Sequence, residues 1–169
     1  GTPSNTYSRA PRASDGCVVL SNADLNLLAD NLQLGKTAVV ISEKVEWRSG
    51  EEIVRERDEI LAALERWRID WESLDADKYL AHYSRDFNIN GQNYSAWVTQ
   101  KKTVNSGKSW IKINLTNLSV YRNPGKEDLV VVSFDQDYRS SNLSNVSRKQ
   151  QYWLRENGRW RIVQESTVS

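Results

Sequence analysis

Residues 51–72, EEIVRERDEILAALERWRIDWE, contain the longest amphipathic helical pattern in the chain. Apolar side chains recur there at helical spacing, and charged side chains such as Arg55, Glu59 and Glu65 occupy the other faces. The apolar stripe consists of Ile53, Ile60, Leu61, Leu64, Trp67 and Trp71. Ser49-Gly50 marks a boundary just before this pattern. We therefore predict that this helix provides the main apolar surface of a domain beginning at residue 49.

Two shorter helices are predicted on the C-terminal side of this helix. Asp75 is placed to cap the first, which carries Tyr79, Leu80 and Tyr83 at helical spacing. The second runs from about residue 95 to residue 104 and carries Trp97 and the basic pair Lys101-Lys102.

From Trp110 onward the apolar pattern has a period of two, which predicts β-strands. Ile113 and Leu115 share one face of the first strand, whereas Leu118 has the opposite parity. One extra residue restores the inward face, so we predict a β-bulge near Thr116-Asn117.

Three more strands are predicted, at residues 129–138, 148–156 and 159–165. Asn157-Gly158, between the last two, is typical of a type I′ hairpin turn. Helices followed by long antiparallel strands are typical of α+β domains, in which the helices pack on one face of a sheet. We therefore predict an α+β fold with three helices on a curved antiparallel sheet over residues 49–169.

The segment before this domain, residues 1–48, is too short to bury a large core alone. We predict that it is a fragment of a second domain and begins with an extended loop. Its other predicted elements are a strand, a helix and a second strand, at residues 18–20, 23–32 and 37–45.

This segment contains Cys17, the single cysteine of the chain. A thiolate attacks a carbonyl carbon well when a base or backbone dipoles lower its pKa, and the preceding Gly16 allows a substrate to approach the backbone. Cys17 is therefore the best candidate for covalent chemistry. The alternative is a small buried residue at the head of a strand, because unpaired cysteines are often buried.

Composition excludes several functional classes. The 23 basic and 22 acidic residues give a net charge of +1, so there is no electrostatic signature of nucleic-acid binding. One cysteine and one histidine, His82, provide no zinc-binding cluster. We predict neither a metal nor a cofactor. No apolar run approaches the roughly 20 residues that span a bilayer, so no transmembrane segment is predicted in this chain.

The stretch from Ser14 to Asn22 resembles the nucleophile motif of the L,D-transpeptidases, cysteine enzymes that cross-link or trim bacterial peptidoglycan stem peptides. Their motif reads Ser/Thr-His-Gly-Cys. Ser14, Gly16 and Cys17 match it, whereas Asp15 replaces the histidine, as in a branch of the family with an appended C-terminal domain. The resemblance implies that Cys17 attacks the carbonyl between an L- and a D-centre while backbone N–H groups stabilise the oxyanion. It also implies a histidine base upstream of Gly1, so we expect the chain alone to be inactive.

The part from about Glu52 to Ser169 resembles the cone-shaped fold of nuclear transport factor two and its SnoaL-like relatives. The matching stretches are residues 67–71, residues 77–83, Asp86-Phe87 and residues 158–162. In transpeptidases that resemble this chain, the appended domain is associated with dimerisation and substrate placement.

A cone surrounds a cavity, so polar side chains on inward strand positions are candidate ligand contacts. The candidates are Asp135, Gln136, Tyr138, Lys149, Gln151 and Glu165. The alternative is that these residues are solvated or pair across the sheet, as alternate strand residues often do. His82 has no obvious partner, and we predict a structural or surface role for it.

The sequence therefore predicts the C-terminal part of an L,D-transpeptidase or L,D-carboxypeptidase of the bacterial periplasm or cell envelope. Residues 1–48 belong to its catalytic domain, and residues 49–169 form an accessory domain that dimerises. Its partners would be peptidoglycan stem peptides and a second copy of the chain. Two alternatives remain: a non-catalytic binding or dimerisation module, and a small-molecule isomerase built on the cone cavity.

Overall fold

The structure is a computed structural model that describes residues 16–33, 37, 39–43, 47–89, 91–123 and 126–168. The chain separates into two compact units, Gly1–Val39 and Val40–Ser169. Two residues of the predicted nucleophile motif, Ser14 and Asp15, lie outside the described residues.

The first unit contains helix α1, Asn22–Ala29, which is shorter than the predicted helix at residues 23–32. The Ser21 side chain caps it by accepting a hydrogen bond from the backbone N–H of Asp24 at 3.1 Å. The predictions of strands at residues 18–20 and 37–45 are wrong for the described positions, which have no strand structure and expose Val39 and Ile41. An apolar run becomes a strand only where a neighbouring strand satisfies its backbone groups.

The second unit contains three helices: α2, Gly50–Glu72; α3, Ala76–Leu80; and α4, Tyr94–Ser106. The prediction of three helices is confirmed, but Tyr83, which was expected on the second of them, instead begins a strand, Tyr83–Ile89, that the sequence did not predict. Helix α2 begins with a capping box. In this box the Ser49 N–H donates to Glu52 Oε2 at 3.2 Å, and the Glu52 N–H donates to Ser49 Oγ at 3.3 Å.

The apolar stripe of α2 packs on the sheet only from its third turn onward. Ile60, Leu64, Trp67 and Trp71 are buried as predicted. Ile53 is 55% exposed, because the buried residues of α2 begin at Ile60 and its first turns lie beyond the core.

Six strands form one curved sheet in the order β2-β1-β6-β5-β4-β3. They are β1, Tyr83–Ile89; β2, Gln92–Asn93; β3, Ile111–Arg122; β4, Leu129–Ser140; β5, Ser144–Glu156; and β6, Arg159–Val168. The predicted α+β fold is confirmed, but the sheet is mixed, because β1 and β6 run parallel. Antiparallel pairing was predicted from turns between consecutive strands. Such turns say nothing about β1 and β6, which are far apart in the sequence.

Backbone conformation confirms two predicted irregularities. The register between β3 and β4 shifts between Thr116 and Ser119, and Asn117 at the bulge has φ +50°. The Asn117 side chain donates to Asp135 Oδ2 at 2.6 Å, which ties the bulge to β4. Asn157 and Gly158 both have positive φ, 49° and 76°, as a type I′ turn between β5 and β6 requires.

Aromatic rings fill the space between the helices and the sheet. Trp71, Tyr79, Tyr83 and Phe87 lie in a row in which neighbouring centroids are 4.9 to 5.2 Å apart. The Tyr79 and Tyr83 hydroxyls are hydrogen-bonded at 2.6 Å, and the Trp67 indole donates to the Tyr83 oxygen at 3.2 Å. The deep part of the cone is therefore a packed aromatic core in which the two tyrosine hydroxyls and the Trp67 indole satisfy one another, whereas Trp71 Nε1 has no hydrogen-bond partner among the described residues.

Candidate functional site

Cys17 lies at the surface of the first unit. Its side chain is exposed, so the alternative of a small buried residue at the head of a strand is wrong. Gly16 has φ +97°, a conformation that glycine adopts without strain, and residues 17–21 run without regular structure to the start of α1. The sulfur is therefore accessible, while its role as a nucleophile stays a prediction.

The polar inward candidates gather on the concave face of the sheet, beyond the aromatic core. Gln136 and Tyr138 are on β4, Lys149 and Gln151 on β5, and Glu165 on β6. Gln151 lies directly opposite Glu165 across β5 and β6. Asp135 was also a candidate, but it points to the opposite face, where it pairs with Arg148 at 2.7 Å.

Gln151 links the sheet to Glu165 through buried hydrogen bonds. Its Nε2 donates to Glu165 Oε2 at 2.8 Å, and its Oε1 accepts from the Trp153 indole at 3.1 Å. The Lys149 ammonium lies 3.5 Å from Glu165 Oε1 and donates to Thr167 Oγ1 at 3.0 Å. Each carboxylate oxygen of Glu165 therefore faces a donor, which fixes the carboxylate in place.

Two further lysines complete this site, and sequence reasoning did not select them. The Lys101 ammonium lies 4.2 Å from the centroid of Trp97 and 5.5 Å from that of Trp71. Lys108 donates to Ser140 Oγ at 3.1 Å, and its ammonium lies 5.7 Å from the Tyr138 ring. The spacing of Trp97 and Lys101, one helical turn apart on α4, was the available signal.

Lys101, Lys108 and Lys149, which we call the lysine cluster, influence one another. Burial is the main reason that the pKa of Lys101 lies below its usual value. Glu165 opposes this effect, whereas the positive charges of Lys149 and Lys108 add to it. Lys101 and Lys149 thus place two ammonium groups near the Glu165 carboxylate, and Lys108 adds a third positive charge near Lys101, which favours a ligand that carries a carboxylate of its own.

His82 has a partner that the sequence did not reveal. Its Nε2 lies 2.6 Å from Asp70 Oδ2, and Asp70 belongs to α2. Burial is the main cause of a lowered His82 pKa; the contact with Asp70 opposes it, and the charges of Arg161 and Arg66 add to it. The pair lines a cleft that includes no member of the lysine cluster. It therefore gives no support to an isomerase with an acid–base pair inside the cone.

The described residues lack two further features: a metal-binding group and a membrane-spanning helix. They contain no group of three or more His, Cys, Asp or Glu side chains arranged to hold a metal ion. No helix among them has both the length and the apolar character that crossing a membrane requires.

Comparison with solved structures identifies relatives of two kinds. Bdellovibrio bacteriovorus Bd1075 matches with a TM-score of 0.77 and 30% identity over 90% of this chain and 56% of its own. The helical cell shape determining protein Pgp2 of Campylobacter jejuni matches with a TM-score of 0.69 and 26% identity over 89% of this chain and 54% of its own. The chain thus spans slightly more than half the length of these relatives.

A putative dehydratase of the NTF2-like family from Streptomyces avermitilis represents the second kind. It has a TM-score of 0.58 and 11% identity over 69% of this chain and 99% of its own, and it shows the fold alone. No curated protein sequence matches the chain significantly.

A protein-family model matches most of the second unit. Residues 59–166, from α2 to the last strand, match the model of the Cds6 C-terminal NTF2-like domain. This range includes the buried part of α2, α3, α4 and nearly the whole sheet, so the match agrees with the architecture. The chain therefore belongs to the family of Cds6 C-terminal NTF2-like domains.

Proposed function

We propose that this chain is the C-terminal portion of a peptidoglycan L,D-transpeptidase or L,D-carboxypeptidase of the bacterial cell envelope. The supporting observation is the extent of the likeness to Bd1075 and to the cell-shape protein Pgp2. Their matches, over 90% and 89% of the chain, are too long to be confined to residues 49–169 and must reach into the first 48 residues. The free-standing NTF2-like relative covers only 69% of the chain.

In this proposal Cys17 performs the covalent step. The Cys17 thiolate attacks the carbonyl carbon between the L- and D-centres of a stem peptide, and backbone N–H groups near Gly16 stabilise the oxyanion. The C–N bond breaks, the leaving amine takes a proton, and an acyl-thioester remains on Cys17. An acceptor amine then completes transpeptidation, or water completes trimming.

The lysine cluster would hold the substrate. Stem peptides carry carboxylates, and the ammonium groups of Lys101 and Lys149 would attract them. Gln136, Tyr138 and Gln151 are buried and would support the site around Glu165 from beneath. A site with excess positive charge beside indole rings binds an anionic peptide better than a neutral one.

Substitution of the sulfur tests the covalent step in the protein extended upstream of Gly1. Cys17→Ala should lower the release or transfer of the terminal D-residue by at least about a thousandfold, as loss of a nucleophile does. Mass spectrometry of purified muropeptides measures the products, and iodoacetamide labelling of the wild-type thiol reports its accessibility. Activity that survives Cys17→Ala would contradict the proposal.

Removal of one ammonium tests substrate placement. Lys149→Gln should weaken binding of a tetrapeptide stem about ten- to a hundredfold, because a charge-assisted contact is lost. Lys112→Gln, at an exposed position of β3, is the matched control and should bind as wild type does. Isothermal titration calorimetry measures both, and equal affinity in the two variants would remove the lysine cluster from the proposal.

A homodimer is also part of the proposal. Tyr121 and Tyr152 lie on the face of the sheet away from the core, where Gln150 donates to the Tyr121 hydroxyl at 2.7 Å. This half-buried aromatic and amide surface suits a second copy of the chain. Light scattering should therefore give about twice the 19.4 kDa chain mass, and a monomer mass at micromolar concentration would contradict dimerisation.

A further inference from the structure

A second concave surface lies between α2, the end of α3 and the hairpin of β5 and β6. It encloses about 800 Å³, a volume typical of small-molecule sites. Glu59, Ala62, Ala63, Arg66 and Asp70 line it from α2, where Glu59, Ala62 or Ala63, Arg66 and Asp70 follow one another at intervals of three or four residues along one stripe. We call this surface the arginine cleft.

The arginine cleft collects positive charge in a chain that is nearly neutral overall. Five of its lining side chains are cationic, against two carboxylates: Arg66, Lys78, Arg155, Arg159 and Arg161 face Glu59 and Asp70. Part of this charge is already paired: Arg155 contacts Glu59, and Lys78 contacts Asp75 at 3.2 Å. Asp70 faces His82.

The arginine cleft contains three further guanidinium groups, those of Arg66, Arg159 and Arg161. Among the residues that the structure describes, no carboxylate lies within ion-pair distance of Arg66, Arg159 or Arg161. Arg159 and Arg161 are two residues apart on β6 and therefore point to the same side of that strand. Like charges brought together by a fold repel one another, and a bound anion offsets that cost.

The pKa of His82 depends on the charges of two of these arginines. The Ile162 N–H donates to the His82 carbonyl at 2.8 Å, which places Arg161 beside the histidine. The charges of Arg161 and Arg66 both contribute to the lowered pKa of His82. The Trp160 ring also lines the arginine cleft, and its buried indole nitrogen has no hydrogen-bond partner among the described residues.

We propose that the arginine cleft binds a doubly charged oxyanion, a phosphate-like group or a pair of carboxylates, through Arg66, Arg159 and Arg161. Guanidinium groups suit this ligand because their paired N–H donors match the spacing of oxyanion oxygens. The ligand lies beside His82 in the arginine cleft. This site is separate from the lysine cluster and does not depend on the proposed peptidoglycan chemistry.

Binding and protonation of His82 are linked. An anion that neutralises the field of Arg66 and Arg161 raises the pKa of His82, so the anion binds more tightly as pH falls through that pKa. The charged groups facing His82 are Asp70, Arg66 and Glu59 from α2, Lys78 from α3, Arg155 from β5, and Arg159 and Arg161 from β6.

The test follows the imidazole signal of His82, which is unambiguous because the chain has one histidine. Proton NMR records its pH titration in the complete chain with sulfate, with oxalate, and with chloride at equal ionic strength. Sulfate and oxalate keep two charges over the titration range, and they represent the phosphate-like and carboxylate ligands. At least one should raise the pKa of His82 in a saturable manner, and the more effective one identifies the ligand class.

Variants locate the effect in the arginine cleft. Arg66→Gln with Arg161→Gln should weaken binding of the effective anion about ten- to a hundredfold. If that double variant fails to fold, the exposed Arg159→Gln serves instead, with at least about a fivefold loss expected. Lys149→Gln in the lysine cluster and Arg139→Gln on β4 are controls and should bind as wild type does.

Two outcomes would overturn the proposal. Neither anion shifts the His82 titration relative to chloride, or the shift persists unchanged in the arginine variants. Lys149→Gln tests the lysine cluster separately. If the anion titration fails, the peptidoglycan proposal is unaffected, and if the Lys149→Gln binding test fails, the proposal for the arginine cleft is unaffected.

Discussion

Gln151 shows how much can depend on one amide. It has no exposed surface, and it joins the Trp153 indole to the Glu165 carboxylate by two hydrogen bonds. Residues of this kind fix the polar inner wall of the cone against its apolar core.

Gln151→Leu should lower the free energy of unfolding by about 2 to 3 kcal/mol, because it leaves a buried indole N–H and a carboxylate oxygen unpaired. Urea unfolding followed by tryptophan fluorescence measures the change. Gln164→Leu, at an exposed position of β6, is the control and should change stability by less than about 0.5 kcal/mol. Equal losses would show that the hydrogen bonds of Gln151 contribute little.

His82 should make stability depend on pH. Its pKa is below 6.5 in the folded chain, so below that pH the unfolded chain binds more protons and folding weakens as pH falls. Between pH 7.5 and 5.5, His82→Gln should remove this contribution, which is at most about 1.4 kcal/mol per pH unit for one proton. Urea unfolding at several pH values gives the slopes. Parallel slopes would contradict the lowered pKa.

Side-chain partnerships were only partly predictable from sequence. The inward parity of Gln136, Tyr138, Lys149, Gln151 and Glu165 followed from strand periodicity, which depends on local geometry. The contact between His82 and Asp70 did not, because a helix and a strand end meet there through tertiary packing. The same holds for Lys101, whose burial depends on how α4 lies against Trp71 of α2.

At the scale of elements, the bulge in β3 is the most informative feature. Its position follows from a parity change in the sequence, and the backbone places Asn117 in the left-handed region with φ +50°. Asparagine tolerates this conformation better than most residues, whereas β-branched residues do not.

Asn117→Val should therefore destabilise the domain by about 1 to 3 kcal/mol through backbone strain. Asn117→Gly, which loses the contact with Asp135 but relieves any strain, should cost less than half as much. Thermal unfolding compares the two variants. If valine were tolerated as well as glycine, the bulge would not be fixed by its left-handed residue.

Helices and hairpins were predictable because their signals are local. The caps at Ser49 and Asp75 and the Asn157-Gly158 turn each act within a few residues. The predictions of strands at residues 18–20 and 37–45 were wrong because a strand needs a partner strand, and a short apolar run does not show whether one exists elsewhere in the chain.

At the scale of the molecule, the buried core of the described residues lies in the second unit. Every buried hydrophobic residue of the core cluster lies between Ile60 and Ile162, and α1 buries none of its residues. Stability should therefore reside in Val40–Ser169.

A shortened chain of residues 47–169 should unfold in one transition, with a urea midpoint within about 10% of that of the complete chain. Circular dichroism and tryptophan fluorescence should report the same midpoint. A large loss of stability, or two separate transitions, would show that the first unit contributes to the fold of the second.

The predicted fold of residues 49–169 is confirmed, whereas the predicted catalytic function stays a prediction. Ordered motifs such as residues 67–71 and residues 158–162 identified the cone because they mark its helix and its last hairpin. A mechanism centred on Cys17 rests on chemistry that a fold does not determine, since one architecture supports many activities.

The place of β6 constrains how this domain is made in the cell. The last strand in sequence lies between β1 and β5, so it joins the first strand pair to the rest of the sheet. Until β6 has been synthesised and has left the ribosome, the edges of β1 and β5 that flank it in the finished sheet have no partner strand. A chain that lacks β6 would therefore leave β1 and β2 detached from β3, β4 and β5.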